Sequence, residues 1–458
     1  MKLDLAMAHR LLDQARAAAP GGTAIELTLE ETDSSLTRFA NNSIHQNVAE
    51  ASLSLSVRTQ VDGRTARAAT HRLDAKGIAD AVGAALALTR AQTADADLLP
   101  MAASARTTSV DRFDPATAAI TPGDRAQAVS AMVEIARTLE LTAAGICSSQ
   151  SSRYALLNSA GVEEQYAATH AEYSVTMLAA DSSGWAKGGS PRWGDLDAAA
   201  GARIAAEKAV ASARPREIPA GKITVILEPA AVLDLLGFLI WDFGGLAVLD
   251  QRSFLNQRVG TKLFGDNVTI VDDVFHPLQS GPPFDGEGVP RQRVTLVENG
   301  VIKNLVYARG SVPKMRASEL ADKVGEVKVT GHGFALPNDM GDAPMNIVFA
   351  APKNSVSVEQ MIASTERGVL VTRCWYIREV EPYEKMLTGM TRDGTFLVEN
   401  GKIKAGIRNF RFNQGLVHLL NNVEQMGAPV RSSGEEAFDM VVPAMKVRDF
   451  NFTEVTRF

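Results

Sequence analysis

Cys374 stands between Arg373 and Arg378 and beside Trp375 and Tyr376. Guanidinium groups near a thiol lower its pKa and favour the thiolate, which is the nucleophilic form. The commoner role of such a cysteine is a small buried side chain in a strand. Phe284-Asp285-Gly286-Glu287-Gly288 offers two carboxylates that could meet a cation. Two acids fall short of the roughly six to eight oxygens that calcium takes, so a solvated loop is the expected reading. The seven histidines are His9, His45, His71, His170, His276, His332 and His418, and no two are close enough to form a local metal pair. There is no His-Glu-x-x-His and no Cys-x-x-Cys, hence no local zinc motif. A phosphate-binding Walker loop and a Gly-x-Ser-x-Gly nucleophile turn are also absent. Gly331-His332-Gly333 lets backbone approach a ligand, but a lone Gly-x-Gly reads first as a turn.

The composition limits what such residues could serve. The chain has 458 residues, which sets a prior of two or three domains. A chain of this length buries enough surface to need no disulfides. Its two cysteines, Cys147 and Cys374, sit in no paired motif and fit a reducing compartment. The net charge is −6, without the broad basic footprint that nucleic acid demands. Asp4, His9 and Arg10 interrupt any apolar run at the start, so no signal peptide is expected. No membrane span is expected either. The expectation is a cytoplasmic protein that binds neither nucleic acid nor membrane.

The elements that would position these residues alternate in type. Leu5, His9, Leu12 and Ala15 predict a first helix that Pro20-Gly21-Gly22 stops. Ile25, Leu27 and Leu29 alternate with polar residues, as do Leu53, Leu55 and Val57, which run into the hairpin signal Asp62-Gly63. Asp74 is the expected N-cap of a helix to about Gln92, with Val82, Leu86 and Leu88 on its apolar side. Residues 93–121 read as a long surface loop. Thr121-Pro122 opens a helix to about Leu139. Three β runs follow: one around Cys147, one at Arg153–Leu157 and one at Gln165–Ala179. The glycine-rich stretch from Ser182 to Asp195 predicts a mobile loop, and a helix follows from about Asp197 to Ala213. Pro215–Gly221 is the expected domain boundary, followed by a strand, Ile223–Leu227, and a buried helix, Ala230–Leu239. Val297-Glu298-Asn299-Gly300 and Val398-Glu399-Asn400-Gly401 predict two independent type I′ hairpins. On the residues alone the chain is a two-domain α+β protein without a self-contained catalytic motif.

Several of these stretches, in this order, resemble the TldD/TldE family, in which TldE is also called PmbA. Arg38-Phe39-Ala40-Asn41-Asn42-Ser43-Ile44-His45-Gln46 resembles its early strand pair, and Arg58–Arg64 the hairpin that follows. Phe284-Asp285-Gly286-Glu287-Gly288-Val289-Pro290, with the Val-Glu-Asn-Gly hairpin after it, resembles a family hallmark. So does the run from Gly389-Met390-Thr391-Arg392-Asp393-Gly394 to Lys402. The resemblance covers nearly the whole chain. It implies an N-terminal α+β domain of antiparallel sheet and helices, residues 1–214, and a β-rich, barrel-like C-terminal domain, residues 215–458. It also implies a heterodimeric peptidase. Its TldD-type subunit holds zinc on a helical His-Glu-x-x-x-His and a later Cys, with the Glu taking the proton of the attacking water.

This sequence departs from that pattern at the decisive place. The helix after Ile223–Leu227 reads Leu236-Gly237-Phe238-Leu239-Ile240-Trp241-Asp242-Phe243-Gly244-Gly245. By eye Ile240 and Gly245 fall at the two His positions and Trp241 at the Glu, and no register restores the motif. The late Cys should fall within Arg431–Glu435, where Ser432-Ser433-Gly434 stands, and Cys374 lies too early to match it. The resemblance therefore implies a TldE-like subunit with no metal in this chain. Zinc would sit in a TldD-like paralogue carrying His-Glu-x-x-x-His, and the pair would enclose a peptide substrate. Asp285, Glu287, Arg373, Cys374, Trp375, Tyr376 and Arg378 are the candidate groove or interface residues, since Arg and aromatic side chains are common interface anchors. The competing readings are an independent hydrolase with Cys374 as nucleophile and a homodimeric peptide-binding protein.

Overall fold

The computed structural model describes residues 3–456. Helix α1 (Leu5–Ala18) is capped by Asp4, whose side chain accepts from the Met7 N–H. Its buried face is Met7, Ala8, Leu11, Leu12 and Ala15. That stripe is rotated from the expected one: His9 is exposed. Strands β1 (Ala24–Ala40), β2 (Ser43–Val61) and β3 (Arg64–Thr70) then run antiparallel. Asn41-Asn42 and Asp62-Gly63 turn between them with positive φ at both positions, the type I′ geometry that Asn, Asp and Gly tolerate. Helix α2 (Ala75–Ala91) starts on Asp74 as expected. Val82 and Leu86 are buried, whereas Leu88 is exposed, because two residues on from Leu86 is just over half a turn away.

The stretch after α2 is irregular apart from one turn of helix, α3 (Pro115–Ala118). Thr121 and Asp124 form a reciprocal capping box on α4 (Pro122–Thr138). The run around Cys147 and the run at Arg153–Leu157 are one strand, β4 (Thr142–Asn158), unbroken because every residue pairs with β5 (Glu163–Leu178) or β1. The glycine-rich stretch is not a mobile loop but a strand, β6 (Ser183–Ser190), paired with β5 at Ala171–Leu178. Its glycines answer to packing: a Cβ at Gly188 would meet the Tyr173 ring, and one at Gly184 would meet the backbone of helix α5 (Ala198–Ala211). The resulting sheet has the order β3-β2-β1-β4-β5-β6. Helices α1 and α2 cover one half, and α4 and α5 the other, each over its own apolar cluster.

Beyond Gly221 come β7 (Lys222–Leu227), helix α6 (Pro229–Leu236), β8 (Ile270–Asp272), β9 (Val294–Glu298), β10 (Val301–Ile302) and β11 (Ile347–Phe349). Then follow β12 (Arg367–Glu381), β13 (Met386–Glu399), β14 (Lys402–Gly406) and β15 (Phe410–Gly415). Last are β16 (Val423–Met426), β17 (Val430–Ser432), β18 (Met440–Val442) and β19 (Met445–Val455). The order β12-β7-β19-β15-β13, with β13 pairing back to β12, closes a five-stranded ring. Closure leaves no edge within the ring, and Phe410, Phe412, Phe450 and Phe452 pack in its core cluster. The barrel-like expectation holds. A second sheet, β10-β9-β8-β11-β18-β17, lies beside it. Both Asn-Gly turns form, Asn299-Gly300 in the second sheet and Asn400-Gly401 on the ring, with positive φ at all four residues. They belong to different sheets, as independent hairpins should. Among the described residues no helix is long and apolar enough to cross a membrane.

Candidate functional site

Helix α6 is held against the late segment that follows β17. The Asp234 carboxylate Oδ1 accepts from the backbone N–H of Glu435 and of Glu436, each at 3.3 Å. A Cβ added at Gly434 would strike Leu233 and Asp234, and one added at Gly237 would lie 2.5 Å from the Ala437 Cβ. The helix and the late segment are therefore the two elements that meet, and they meet at Asp234 and Gly237. Ile240 and Gly245 lie further on: Gly245 faces the Tyr307 ring. The residues of α6 that meet the late segment include no His and no Glu.

The N-terminal sheet closes this junction from the other side. On β6, Lys187 Nζ donates to the Gly434 carbonyl at 3.0 Å and pairs with Glu172 of β5 at 3.2 Å. Burial opposes ionisation of Glu172, but His170 and Lys187 outweigh it and hold its carboxyl below the usual range. Ser433 Oγ is buried without a partner among the described residues, facing Gly189 of β6. Ser183 Oγ donates to Asp393 Oδ1 at 2.6 Å, and Asp393 Oδ2 receives both Nε and Nη2 of Arg373. The Arg373 guanidinium lies between the Trp185 and Trp375 rings, 4.8 and 5.3 Å from their centroids.

Zinc does not fit this donor set. Among the described residues no three His, Cys, Asp or Glu side chains converge as a metal-holding group. The nearest thiol, Cys374, is fully buried. Burial pushes its pKa well above the ordinary value, the Asp234 and Glu436 charges push further, and Arg373 only partly opposes them. That removes the nucleophile reading of Cys374: the flanking arginine is engaged by Asp393, and the thiol has no route to solvent. Cys147 is likewise buried, its thiol pushed up to about 12 by desolvation.

Asp234 is the unusual group here. Desolvation raises its carboxyl to about 7, with the Glu436 and Glu435 N–H groups opposing. Its Oδ2 has no partner among the described residues. Between the unfolded value near 3.8 and about 7, the folded state keeps a proton that the unfolded chain has released. Stability therefore falls as pH rises through that window and levels off above it. Asp234→Asn keeps an acceptor for both N–H groups and cannot ionise. Thermal melts should show the variant more stable than the parent at pH 8 by about 2 kcal/mol, converging toward pH 4.

The remaining candidates divide by exposure. Asp285 and Glu287 are buried, so the expectation of a solvated loop fails. Asp285 Oδ1 accepts from the Glu287 and Val289 N–H groups of its own turn, and Oδ2 from that of the distant Gly333, so both oxygens are engaged. Glu287 pairs with Arg309 at 3.0 Å. The turn docks on the N-terminal sheet, where Phe284 stacks on Tyr154 and Gly288 abuts Val162. Asp285, Glu287, Arg373 and Cys374 are thus internal and offer no groove or interface surface. Trp375 is half-buried, and Tyr376 and Arg378 are exposed where the β12–β13 ladder is bulged. Tyr376 has φ +54°, an uncommon value for an aromatic residue. Its N–H donates to Glu436 at 2.7 Å, and the Arg378 guanidinium covers its ring at 4.7 Å.

Asp234, Lys187 and Ser433 did not emerge as candidates from sequence patterns. Asp234 falls in an apolar helix and Lys187 among glycines, and only the folded chain brings them together. One faint signal was a carboxylate, Asp234, inside a run otherwise apolar from Ala230 to Leu239.

Next to this junction, between β4, β5 and the C-terminal strands, opens a cleft of about 670 Å³. Arg112, Tyr166, His170, Arg291, Arg431 and Asp439 are among its lining residues.

Known proteins share this architecture. A family model described as the PmbA/TldA metallopeptidase C-terminal domain matches residues 220–454. The corresponding domain 1 and central domain models match residues 25–89 and 123–213. An uncharacterized protein of Methanocaldococcus jannaschii is 40% identical over 89 residues, 19% of this chain and 21% of that one. The chain thus spans about a fifth of that relative's length. Metalloprotease PmbA of Escherichia coli O157:H7 is 23% identical over 421 residues, 86% of this chain and 85% of its own. The crystal structure of TldE from Thermococcus kodakarensis superposes with a TM-score of 0.85 at 17% identity, covering 98% of this chain and 100% of that one.

Proposed function

The chain belongs to the PmbA/TldD metallopeptidase family, and within it we propose that it serves as the subunit without a catalytic metal site, paired with a zinc-bearing relative. The observation that carries this reading is the junction of α6 with the late segment. The family resemblance puts metal ligands on those two elements, and here they present Asp234, Gly237, Ser433 and Gly434. Asp234 is the one carboxylate among these four, its Oδ1 is taken by two backbone N–H groups, and a single carboxylate falls short of the ligand set that zinc requires. Lys187, 3.0 Å from the Gly434 carbonyl, places a positive charge beside the same spot. A fixed ammonium there disfavours a second cation.

In this reading the chain contributes binding surface and closure, and the relative contributes hydrolysis. Its metal would polarise the peptide carbonyl and activate water, which this chain's residues cannot do. Tyr376 and Arg378 are among the exposed aromatic and guanidinium groups of the ring and, with the half-buried Trp375, are proposed as part of the contact with the relative. The cytoplasm is the proposed compartment, in keeping with two unpaired cysteines.

The test is peptidase activity of the purified chain, alone and mixed with a relative from the same cell that carries His-Glu-x-x-x-His. The expected result is no cleavage by this chain and cleavage in the mixture that a chelator abolishes. Cleavage by this chain alone would refute the reading. A mixture no more active than the relative by itself would refute the partner role.

A further inference from the structure

Three guanidinium groups line the cleft beside the junction, and two of them, Arg112 and Arg291, have no carboxylate partner among the described residues. Arg112 is held by carbonyls only: Nη2 donates to Val274 and His276 at 3.1 and 3.0 Å, and Nη1 to Pro277 at 3.4 Å. Its Nε is buried with no partner among the described residues. Arg291 Nε donates to the Phe284 carbonyl at 3.3 Å, and its buried Nη1 has no partner. Arg431 Nη1 donates to the Leu278 carbonyl and Nη2 to Asp439 at 2.7 Å, while its buried Nε is unpaired. The Arg431 side chain is 10% exposed.

Among the described residues no ion pair involves Arg112 or Arg291 (the charge of Arg291 reaches Asp272 and Asp285 only at longer range). Both of those acids are already engaged, Asp272 by His332 and the Asn346 N–H, Asp285 by its own turn and the Gly333 N–H. Asp439 is the one carboxylate lining the cleft, and Arg431 holds it. The Arg112 and Arg291 charges are thus held without a carboxylate beside them, and an anion in the cleft would supply the missing countercharge. Phe334 and Phe438 line the same space and add apolar wall beside the charge. The volume lies within the range of small-ligand sites.

We propose that this cleft receives the C-terminal carboxylate of a peptide, with Arg112 and Arg291 as its charge partners and the terminal side chain against Phe334 and Phe438. A planar carboxylate matches the fork of an arginine, and the aromatic wall suits a terminal side chain better than it suits an inorganic anion. The inference rests on the reading that the chain works on peptides, and it deepens that reading by naming which end of the peptide it holds.

The test is equilibrium binding of N-acetylated tetra-alanine to the full-length chain, as the free acid, as the C-terminal amide, and as an amide with one internal Glu. The free acid is expected to bind at least about tenfold more tightly than either amide, the worth of one well-placed charged hydrogen-bond pair. Arg291→Gln and Arg112→Gln should each erase most of that discrimination, and Arg291→Lys should keep part of it. Equal binding of acid and amide would overturn the proposal. So would no binding of any form, a match between the internal-Glu peptide and the free acid, or displacement by inorganic phosphate at the free acid's own affinity. If a variant fails to fold, the acid and amide comparison on the unmodified chain still decides. This readout needs no partner and no cleavage, so it and the partner-subunit reading can fail separately.

Discussion

Asp393→Ala is expected to destabilise the protein by about 3–5 kcal/mol, the range for stripping one partner from a buried ion pair. Arg373 and Asp393 are both nearly inaccessible, with side-chain exposures of 7% and 4%. Arg373 Nη1 already lacks a partner, so the loss of Asp393 leaves the guanidinium with only the flanking Trp185 and Trp375 faces. Such faces are worth about 0.5–2 kcal/mol, less than the desolvation they would have to offset. The variant also loses the Ser183 hydrogen bond, which ties β6 of the N-terminal sheet to β13 of the ring. Two outcomes are read by denaturant unfolding: a lower midpoint, and earlier exposure of the Trp185 fluorescence. Asp393→Asn is the control. Asp393 has φ +55°, which Asn tolerates better than Ala, so the difference between the variants separates backbone strain from lost charge. A loss below about 1 kcal/mol for Asp393→Ala would mean that the pair does not hold the seam.

Glu26→Ala should cost a similar amount, about 3–5 kcal/mol, for the same reason at another place. Glu26 Oε1 and Oε2 receive Nε and Nη2 of Arg58 at 3.2 and 2.8 Å. Glu26 and Arg58 each have side chains 1% exposed. Oε1 also receives Arg67 Nη2 at 2.5 Å, and Arg67 Nε reaches the Leu336 carbonyl at 3.0 Å. One carboxylate thus balances two arginines where β1, β2 and β3 meet the C-terminal part of the chain. The loss should be largest with Arg58 intact. In Glu26→Ala/Arg58→Met it should shrink, because the fully buried charge is gone, a side chain of similar length fills the space, and Arg67 keeps the Leu336 carbonyl and the Thr28 and Ser56 hydroxyls. Unfolding midpoints of the single and double variants give that comparison directly. Equal losses in both would assign the effect to packing and not to charge.

Local signals in the sequence located most of the elements and few of the contacts. Asp74, Thr121-Pro122 and the paired Asn-Gly turns act within a few residues, so their outcomes could be read from the chain. The glycine-rich stretch misled because glycine has two meanings. It permits flexibility in solvent, and it also permits close approach, as at Gly184 and Gly188 against α5 and Tyr173. Nothing local distinguishes the two. The stretch at Phe284–Gly288 misled in the same way: two acids among glycines resemble a wet loop until Gly333, Arg309 and the N-terminal sheet close on them. The junction at Asp234 depends on residues about 200 positions apart, with |i−j| of 201 to Glu435. No pattern within one segment can show such a contact. The family resemblance supplied the two elements, and the fold supplied which residues on them face each other.

The central claim is that this chain carries no catalytic zinc site, and the most direct measurement of it is zinc content after exposure to excess zinc and removal of loosely bound ion, for the isolated chain and for its complex with the His-Glu-x-x-x-His relative. The account predicts no retained zinc on the isolated chain and zinc in the complex at the level the relative binds by itself. Stoichiometric zinc on the isolated chain would contradict it, and Asp234, Cys374 and Glu436 would then be the side chains to test as ligands.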